Sequence, residues 1–156
     1  MDILFLGMEN ATRSITAEAL FRAVCRTGTT VRSGGLRPAG VVHPHTLSAL
    51  DRAGIDTQGL YSKALPPVSA MPEVVISLCA EEETKAFRLN PGEATVIYWE
   101  MPDPLLAGNK PEVWGAFCRT QEILLRRTAA MAALLDAEPG RDPVWLEAVL
   151  APIASM

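Results

Sequence analysis

Residues Gly7-Met8-Glu9-Asn10-Ala11-Thr12-Arg13-Ser14 combine amide groups, a fixed positive charge and hydroxyls in an order suited to holding an anion. Ile3 to Leu6 read as a buried strand and Ser14 onward as a helix. The segment between them therefore lies where strand carboxyl ends meet a helix N-terminus, the place at which open α/β sheets offer free N–H groups to anionic ligands. Arg13 adds a planar, permanently charged donor fork that matches a tetrahedral oxyanion. Met8, Glu9, Asn10, Ala11, Thr12 and Ser14 complete the candidate anion-binding loop, and phosphate, sulfate, arsenate or a phosphorylated ligand are the anions such a loop takes. Gly7, at its mouth, carries no side chain and so offers no nucleophile.

Glu9 complicates the electrostatics. A carboxylate facing a bound anion repels it, and two unit charges about 4 Å apart interact by roughly 4 kcal/mol at an intermediate dielectric. Two arrangements satisfy this residue: it turns inward and pairs with Arg13, or it points to solvent and leaves the loop able to accept an anion.

The elements that must position the loop follow from periodicity. Four short apolar runs, Asp2 to Leu6, Thr30 to Ser33, Val74 to Cys79 and Thr95 to Trp99, alternate with helical or loop segments. That alternation predicts an α/β fold, a single three-layer α/β/α domain with a four-stranded parallel sheet. Ile15, Ala19, Leu20, Ala23 and Val24 recur at helical spacing in a segment ended by Gly28. A second helix runs from Pro44 to Ala53 and stops at Gly54, and Glu81 to Phe87 forms a short third one. A long helix begins at Pro111 with Trp114, Phe117, Leu124, Leu125, Met131 and Leu135 as its inward stripe. Residues 1–137 form the domain. Residues 138–156 form a C-terminal extension in which Asp142 caps a short helix with Pro143 at its first position. Its apolar face of Trp145, Leu146, Val149 and Leu150 packs on the parent domain or on a partner, a second copy included.

At 156 residues the chain buries a full core without disulfides or structural metal. A net charge of −4 with scattered arginines argues against nucleic acid as a partner. No apolar stretch is long enough to span a bilayer and the N-terminus lacks the layout of a signal peptide, so a cytoplasmic location is expected. Three cysteines, Cys25, Cys79 and Cys118, show no C-x-x-C spacing and read as reduced thiols. His43 and His45 flank Pro44, and two imidazoles without a third ligand do not make a metal site. Neither a metal nor a cofactor is called for. The run Glu81-Glu82-Glu83 is a solvated helix start facing the positive end of its dipole.

The loop resembles the Cys-x5-Arg-Ser signature of the low-molecular-weight phosphotyrosine phosphatases and the thiol-coupled arsenate reductases of the same fold, with Gly7 at the position of the cysteine. Asn10, Arg13 and Ser14 match it. The likeness continues through Ser14-Ile15-Thr16-Ala17-Glu18-Ala19, Ser33-Gly34-Gly35, His43-Pro44, Gly54-Ile55-Asp56-Thr57, Ser62-Lys63, Val75-Ile76-Ser77-Leu78-Cys79 and Trp99-Glu100-Met101-Pro102-Asp103-Pro104. It implies that Arg13 binds the equatorial oxygens of the transition state, Asn10 shapes the loop, Ser14 bonds the thiolate, and Asp103 protonates the leaving group.

The departures matter as much. The family's covalent intermediate needs a thiolate, and losing a covalent nucleophile removes several orders of magnitude of rate. Glu9 replaces a small residue of the family pattern, and Met8, Ala11 and Thr12 replace small or hydroxylated ones. Leu105-Leu106 after Asp103-Pro104 replaces ring-flanking aromatics, and the Trp99 to Pro104 run looks closer to the arsenate reductase branch. Cys79 matches the second cysteine of that branch's redox relay; the first stands at Gly7, and none occurs near Ala86 to Arg88, where the third is expected. One thiol does not run a relay, so Cys79 reads first as a small apolar residue at a strand end. Asp103 reads equally as an orphaned general acid and as a turn residue before Pro104. The resemblance thus implies a non-catalytic member that binds an oxyanion, a phospho-ligand or a protein partner. The competing expectation is an active phosphatase or arsenate reductase in which Glu9, a water or Cys79 serves as the nucleophile.

Overall fold

Val74, Val75 and Ile76 form an uninterrupted buried run, as a strand covered on both faces requires. The computed structural model describes residues 1–26, 28–137 and 142–156. In it β1 (Asp2–Gly7), β2 (Thr30–Gly35), β3 (Val74–Ser77) and β4 (Thr95–Tyr98) form one all-parallel sheet in the order β2-β1-β3-β4. The expected α/β architecture is therefore found. β1 and β2 run further than the apolar pattern suggests because Leu6 pairs with Gly34 and Gly7 with Gly35. β3 and β4 stop short of Cys79 and Trp99.

Period-2 alternation divides the sheet faces. Ile3, Phe5, Val74, Ile76 and Ile97 join the larger core with Leu20 and Phe21 of α1 (Arg13–Val24) and Leu124 and Met131 of the long helix. Leu4, Leu6 and Val75 face a thinner layer supplied by Leu36, Leu65, Met71 and Leu89. The second face is thus covered largely by connecting segments. α1 ends at Val24 rather than near Gly28, with Cys25 in extended backbone.

α2 (Pro44–Arg52) and α3 (Glu81–Ala86) lie close to the expected bounds. α4 spans Lys110–Ala137. Its inward stripe is narrower than the sequence suggests: Phe117, Leu124 and Met131 are buried, Trp114 and Leu135 half-buried, and Leu125 is 45 % exposed. Leu125 follows the buried Leu124 directly and so lies about 100° further around the helix.

Glu138, Pro139 and Gly140, where the extension is expected to start, lie outside the described residues. α5 (Pro143–Leu150) begins at Asp142, whose carboxylate accepts from Trp145 N at 3.1 Å. Leu146, Leu150 and Ile153 enter the larger core, and Trp99 Nε1 donates to Leu150 O at 2.9 Å. Arg127 of α4 adds a clasp, donating from Nη1 to Trp99 O at 3.0 Å and from Nη2 to Ala154 O. Burial pushes this guanidinium below its ordinary pKa, with nearby Arg126 acting in the same direction.

Candidate anion site

The loop after β1 is shaped from outside. Leu36 N donates to Gly7 O at 3.1 Å, Arg37 N to Met8 O at 2.7 Å, Ala39 N to Glu9 O at 2.9 Å and His43 N to Ala11 O at 3.0 Å. Across a planar trans peptide the carbonyl and the following N–H point in opposite directions. With these carbonyls drawn outward, the N–H groups of Met8, Glu9, Asn10 and Thr12 turn toward the interior of the loop, next to the N-terminus of α1. Asn10 takes the left-handed conformation with φ 49°, which asparagine tolerates better than most residues. Close approach to β2 depends on Gly35, where a Cβ would stand 3.0 Å from Asn10 N.

Asn10 is the hinge of a buried polar chain. Its Nδ2 donates to Ser14 Oγ at 3.0 Å and to Ser33 Oγ at 2.8 Å, and its Oδ1 accepts from Lys63 N at 2.8 Å. Ser33 donates onward to Glu18, a carboxylate only 2 % exposed. Glu18 also pairs with Arg22 and with Lys63 Nζ, the latter at 3.0 Å. Ser14 and Glu18 are four apart in α1 and share the face turned to the loop. Glu18 as a support of this loop escaped the sequence reading. A carboxylate sitting between Ala17 and Ala19, in register with Ser14, was the available signal.

Arg13 is buried, and its Nη1 donates to Leu78 O at 3.2 Å and Met101 O at 2.6 Å. The guanidinium thus ties the loop to the ends of β3 and β4, and this arrangement was not anticipated. Glu9 does not pair with Arg13: its carboxylate, 45 % exposed, lies 4.0 Å from Arg37 Nη2, an exposed cation on the connector after β2. The outward arrangement is the one adopted. Asp103 Oδ1 accepts from Leu105 N at 2.9 Å and so caps the 3-10 turn Pro104–Leu106. Residues 7–10 and 12–14 meet Asp103 and Leu105 around a cavity of about 10 Å³, roughly the room one water requires. Ala11 is not part of that lining; its carbonyl is held by His43 N and by Thr46 Oγ1, each at 3.0 Å.

At Gly7 the vacant side-chain position is already filled. A Cβ built there would meet Ser14 Oγ at 2.5 Å and Ser14 Cβ at 3.1 Å. His43 caps α2, its Nδ1 accepting from His45 N at 3.0 Å, which places its ring proton on Nε2. Burial lowers the His43 pKa, reinforced by His45 and opposed by Asp103. Among the described residues no group of three or more His, Cys, Asp or Glu side chains is placed to hold a metal ion, and no helix is long and apolar enough to cross a membrane.

Cys79 is fully buried, and burial pushes its thiol from an ordinary 9.0 up to about 11 despite the nearby Arg13. Between those values the folded chain keeps a proton that the unfolded chain releases. The associated stability is complete below pH 9 and is lost as pH rises toward 11. At pH 8, iodoacetamide is expected to modify the half-buried Cys25 and Cys118 at least about tenfold faster than Cys79. Peptide mass mapping over a time course checks this; equal rates would show that Cys79 is open to solvent.

Residues 2–139 match the family described as low molecular weight phosphotyrosine protein phosphatase. A search of curated proteins finds no significant match. Among solved structures, a YwlE mutant from Bacillus subtilis is similar at 22 % identity and a TM-score of 0.72, over 87 % of this chain and 99 % of that one. Vibrio vulnificus Wzb in complex with benzylphosphonate is similar at 17 % identity and a TM-score of 0.72, over 86 % and 98 %. An arsenate reductase in the phosphate-binding state is similar at 23 % identity and a TM-score of 0.67, over 85 % and 97 %. At these identities the structural likeness speaks for the fold, and the sequence match along nearly the whole chain speaks for descent: the chain belongs to the low molecular weight phosphotyrosine protein phosphatase family.

Proposed function

We propose that this chain is a non-catalytic member of its family whose loop 7–14 binds an oxyanion or a phosphorylated group, free or carried by a protein partner, without turning it over. The observation that carries the reading is the occupation of the residue-7 side-chain position by Ser14 Oγ, 2.5 Å from where a Cβ would stand, beside amides still turned inward. Inward N–H groups at a helix N-terminus stabilise negative charge but form no bond to phosphorus or arsenic.

The substitutes weighed against this reading lack support. Glu9 extends toward Arg37, away from in-line attack, and Cys79 is a buried thiol with a raised pKa. Asp103 spends one carboxylate oxygen on its own turn. The family relatives bound to benzylphosphonate and phosphate support an oxyanion as the ligand class. A cavity of about 10 Å³ must widen to admit one, by withdrawal of Leu105 and Asp103. Weak binding of inorganic anions follows.

Titration with phosphate, sulfate and arsenate at constant ionic strength, read by amide resonances of residues 8–14, is expected to saturate at a Kd of roughly 1–10 mM. Chloride should give no saturable shift. Hydrolysis of p-nitrophenyl phosphate and thiol-coupled arsenate reduction should stay at the uncatalysed rate. Turnover abolished by Arg13→Ala would overturn the non-catalytic reading, and flat titrations would overturn the anion-binding one.

A further inference from the structure

The 3-10 turn Pro104–Leu106 has two flanks. Leu105 lines the small loop cavity, whereas Leu106 lines a separate groove of about 410 Å³ between the turn and α4. That volume falls in the range of roughly 300–1,000 Å³ typical of small-molecule sites. The walls are apolar, with Met101, Pro104, Leu106 and Ile123 prominent. Leu106 is 84 % exposed, a large aliphatic side chain that an apolar occupant would remove from water.

Two polar groups converge on this groove from α4. Thr120 is only 8 % exposed, yet its hydroxyl has no hydrogen-bond partner among the described residues. Among the described residues Arg127 Nε is the buried side-chain polar atom without a partner, so the Thr120 hydroxyl is instead open to the groove, where it can donate to or accept from a ligand atom. Arg119 is exposed and pairs with no carboxylate among the described residues. Its Nη1 lies 3.2 Å from where a Cβ at Gly115 would stand. A glycine weakens a helix interior, and here its bareness gives the guanidinium room to lie along α4 beside the groove. Asp103, also on the lining, repels any anion in the groove, so a bound carboxylate must sit on the Arg119 side and carry no more than one charge.

We infer that this groove binds a small apolar monocarboxylate, its tail along Pro104, Leu106 and Ile123 and its carboxylate on Arg119 and Thr120. A guanidinium fork and a hydroxyl donor match the two oxygens of one carboxylate. The groove and the loop cavity share Asp103 and the turn that follows it, but Arg119, Thr120 and Ile123 line the groove alone.

The test uses the full chain and sodium octanoate, with 1-octanol and octylammonium as tail-matched controls, read by amide resonances. Octanoate is expected to give saturable shifts confined to residues 104–107 and 116–123. Hexanoate, two methylenes shorter, should bind about tenfold more weakly. Arg119→Gln should weaken octanoate about tenfold without changing the melting temperature. Leu106→Ser, at an exposed position that leaves folding intact, should weaken all tails alike. The inference is overturned by the absence of a saturable shift at about 10 mM octanoate, by octanol or octylammonium binding as well as octanoate, by wild-type affinity in Arg119→Gln, or by shifts centred on residues 7–14.

Discussion

Glu18→Ala is expected to lower folding stability by about 3 kcal/mol and to loosen residues 8–14, although the Glu18 carboxylate bonds to Arg22, Ser33 and Lys63 rather than to the loop itself. Removing one partner of a buried ion pair leaves the other uncompensated, at a cost of about 3–5 kcal/mol. The lower end applies because Arg22 is 42 % exposed and Lys63 also donates to Tyr61 O at 3.0 Å. The effect reaches the loop through Ser33, which donates to Glu18 while accepting from Asn10 at 2.8 Å and Lys63 at 3.2 Å. Without Glu18 that hydroxyl loses its acceptor and is no longer held in one orientation toward Asn10 Nδ2. Glu18→Gln keeps shape and one acceptor and should cost about 1–2 kcal/mol. Urea denaturation gives the free energies, and amide exchange of residues 8–14 shows whether the loop follows. A loss below about 1 kcal/mol for the alanine variant would show that the network carries little of the fold.

The parts of the site that were legible in the sequence depend on neighbours along the chain. Strand, loop and helix follow from Ile3 to Leu6 and from the spacing of Ile15, Ala19 and Ala23, and these alone set a loop at a helix N-terminus. The parts that were not legible depend on residues brought in by the sheet. Glu9 turns outward because Arg37 arrives with the connector after β2, and no local pattern announces that. Arg13 is drawn to Leu78 O and Met101 O at the ends of two other strands, so a side chain suited to an anion also serves as a structural tie. Asp103 illustrates a tie in the local reading: acid and turn residue were equal on sequence, and the 2.9 Å bond from Leu105 N shows it capping the turn. Leu125 is apolar but directly follows the buried Leu124, so it lies about 100° around α4 from the inward stripe and faces outward.

Gly7→Cys tests the central reading most directly. The variant is expected to fold, to lose about 1–3 kcal/mol of stability through overpacking, and to turn over p-nitrophenyl phosphate at least about a hundredfold more slowly than a median enzyme rate of ~10 s⁻¹. On the sequence alone Glu9 is the obstacle, because a carboxylate facing the loop repels a bound anion. With Glu9 directed toward Arg37 the geometric obstacle is Ser14, whose Oγ lies 2.5 Å from the position of the new Cβ and must rotate away, giving up its bond from Asn10 Nδ2. Rotation leaves Asn10 with one fewer acceptor and frees the loop to move. A second obstacle is Asp103, which must release Leu105 N to deliver a proton to a leaving group. Adding Ser14→Ala to Gly7→Cys removes the 2.5 Å contact with Oγ and keeps the 3.1 Å one with Cβ, so the double variant should recover stability relative to the sum of the single effects, a coupling of roughly 1 kcal/mol. It should not recover activity, because the hydroxyl that would steady a thiolate is gone. Urea denaturation of the two single variants and the double variant measures the coupling, and a steady-state assay of the same proteins measures turnover. Full-rate turnover by Gly7→Cys alone would mean that the loop is a working site lacking only its sulfur, and that Ser14 moves aside at no cost.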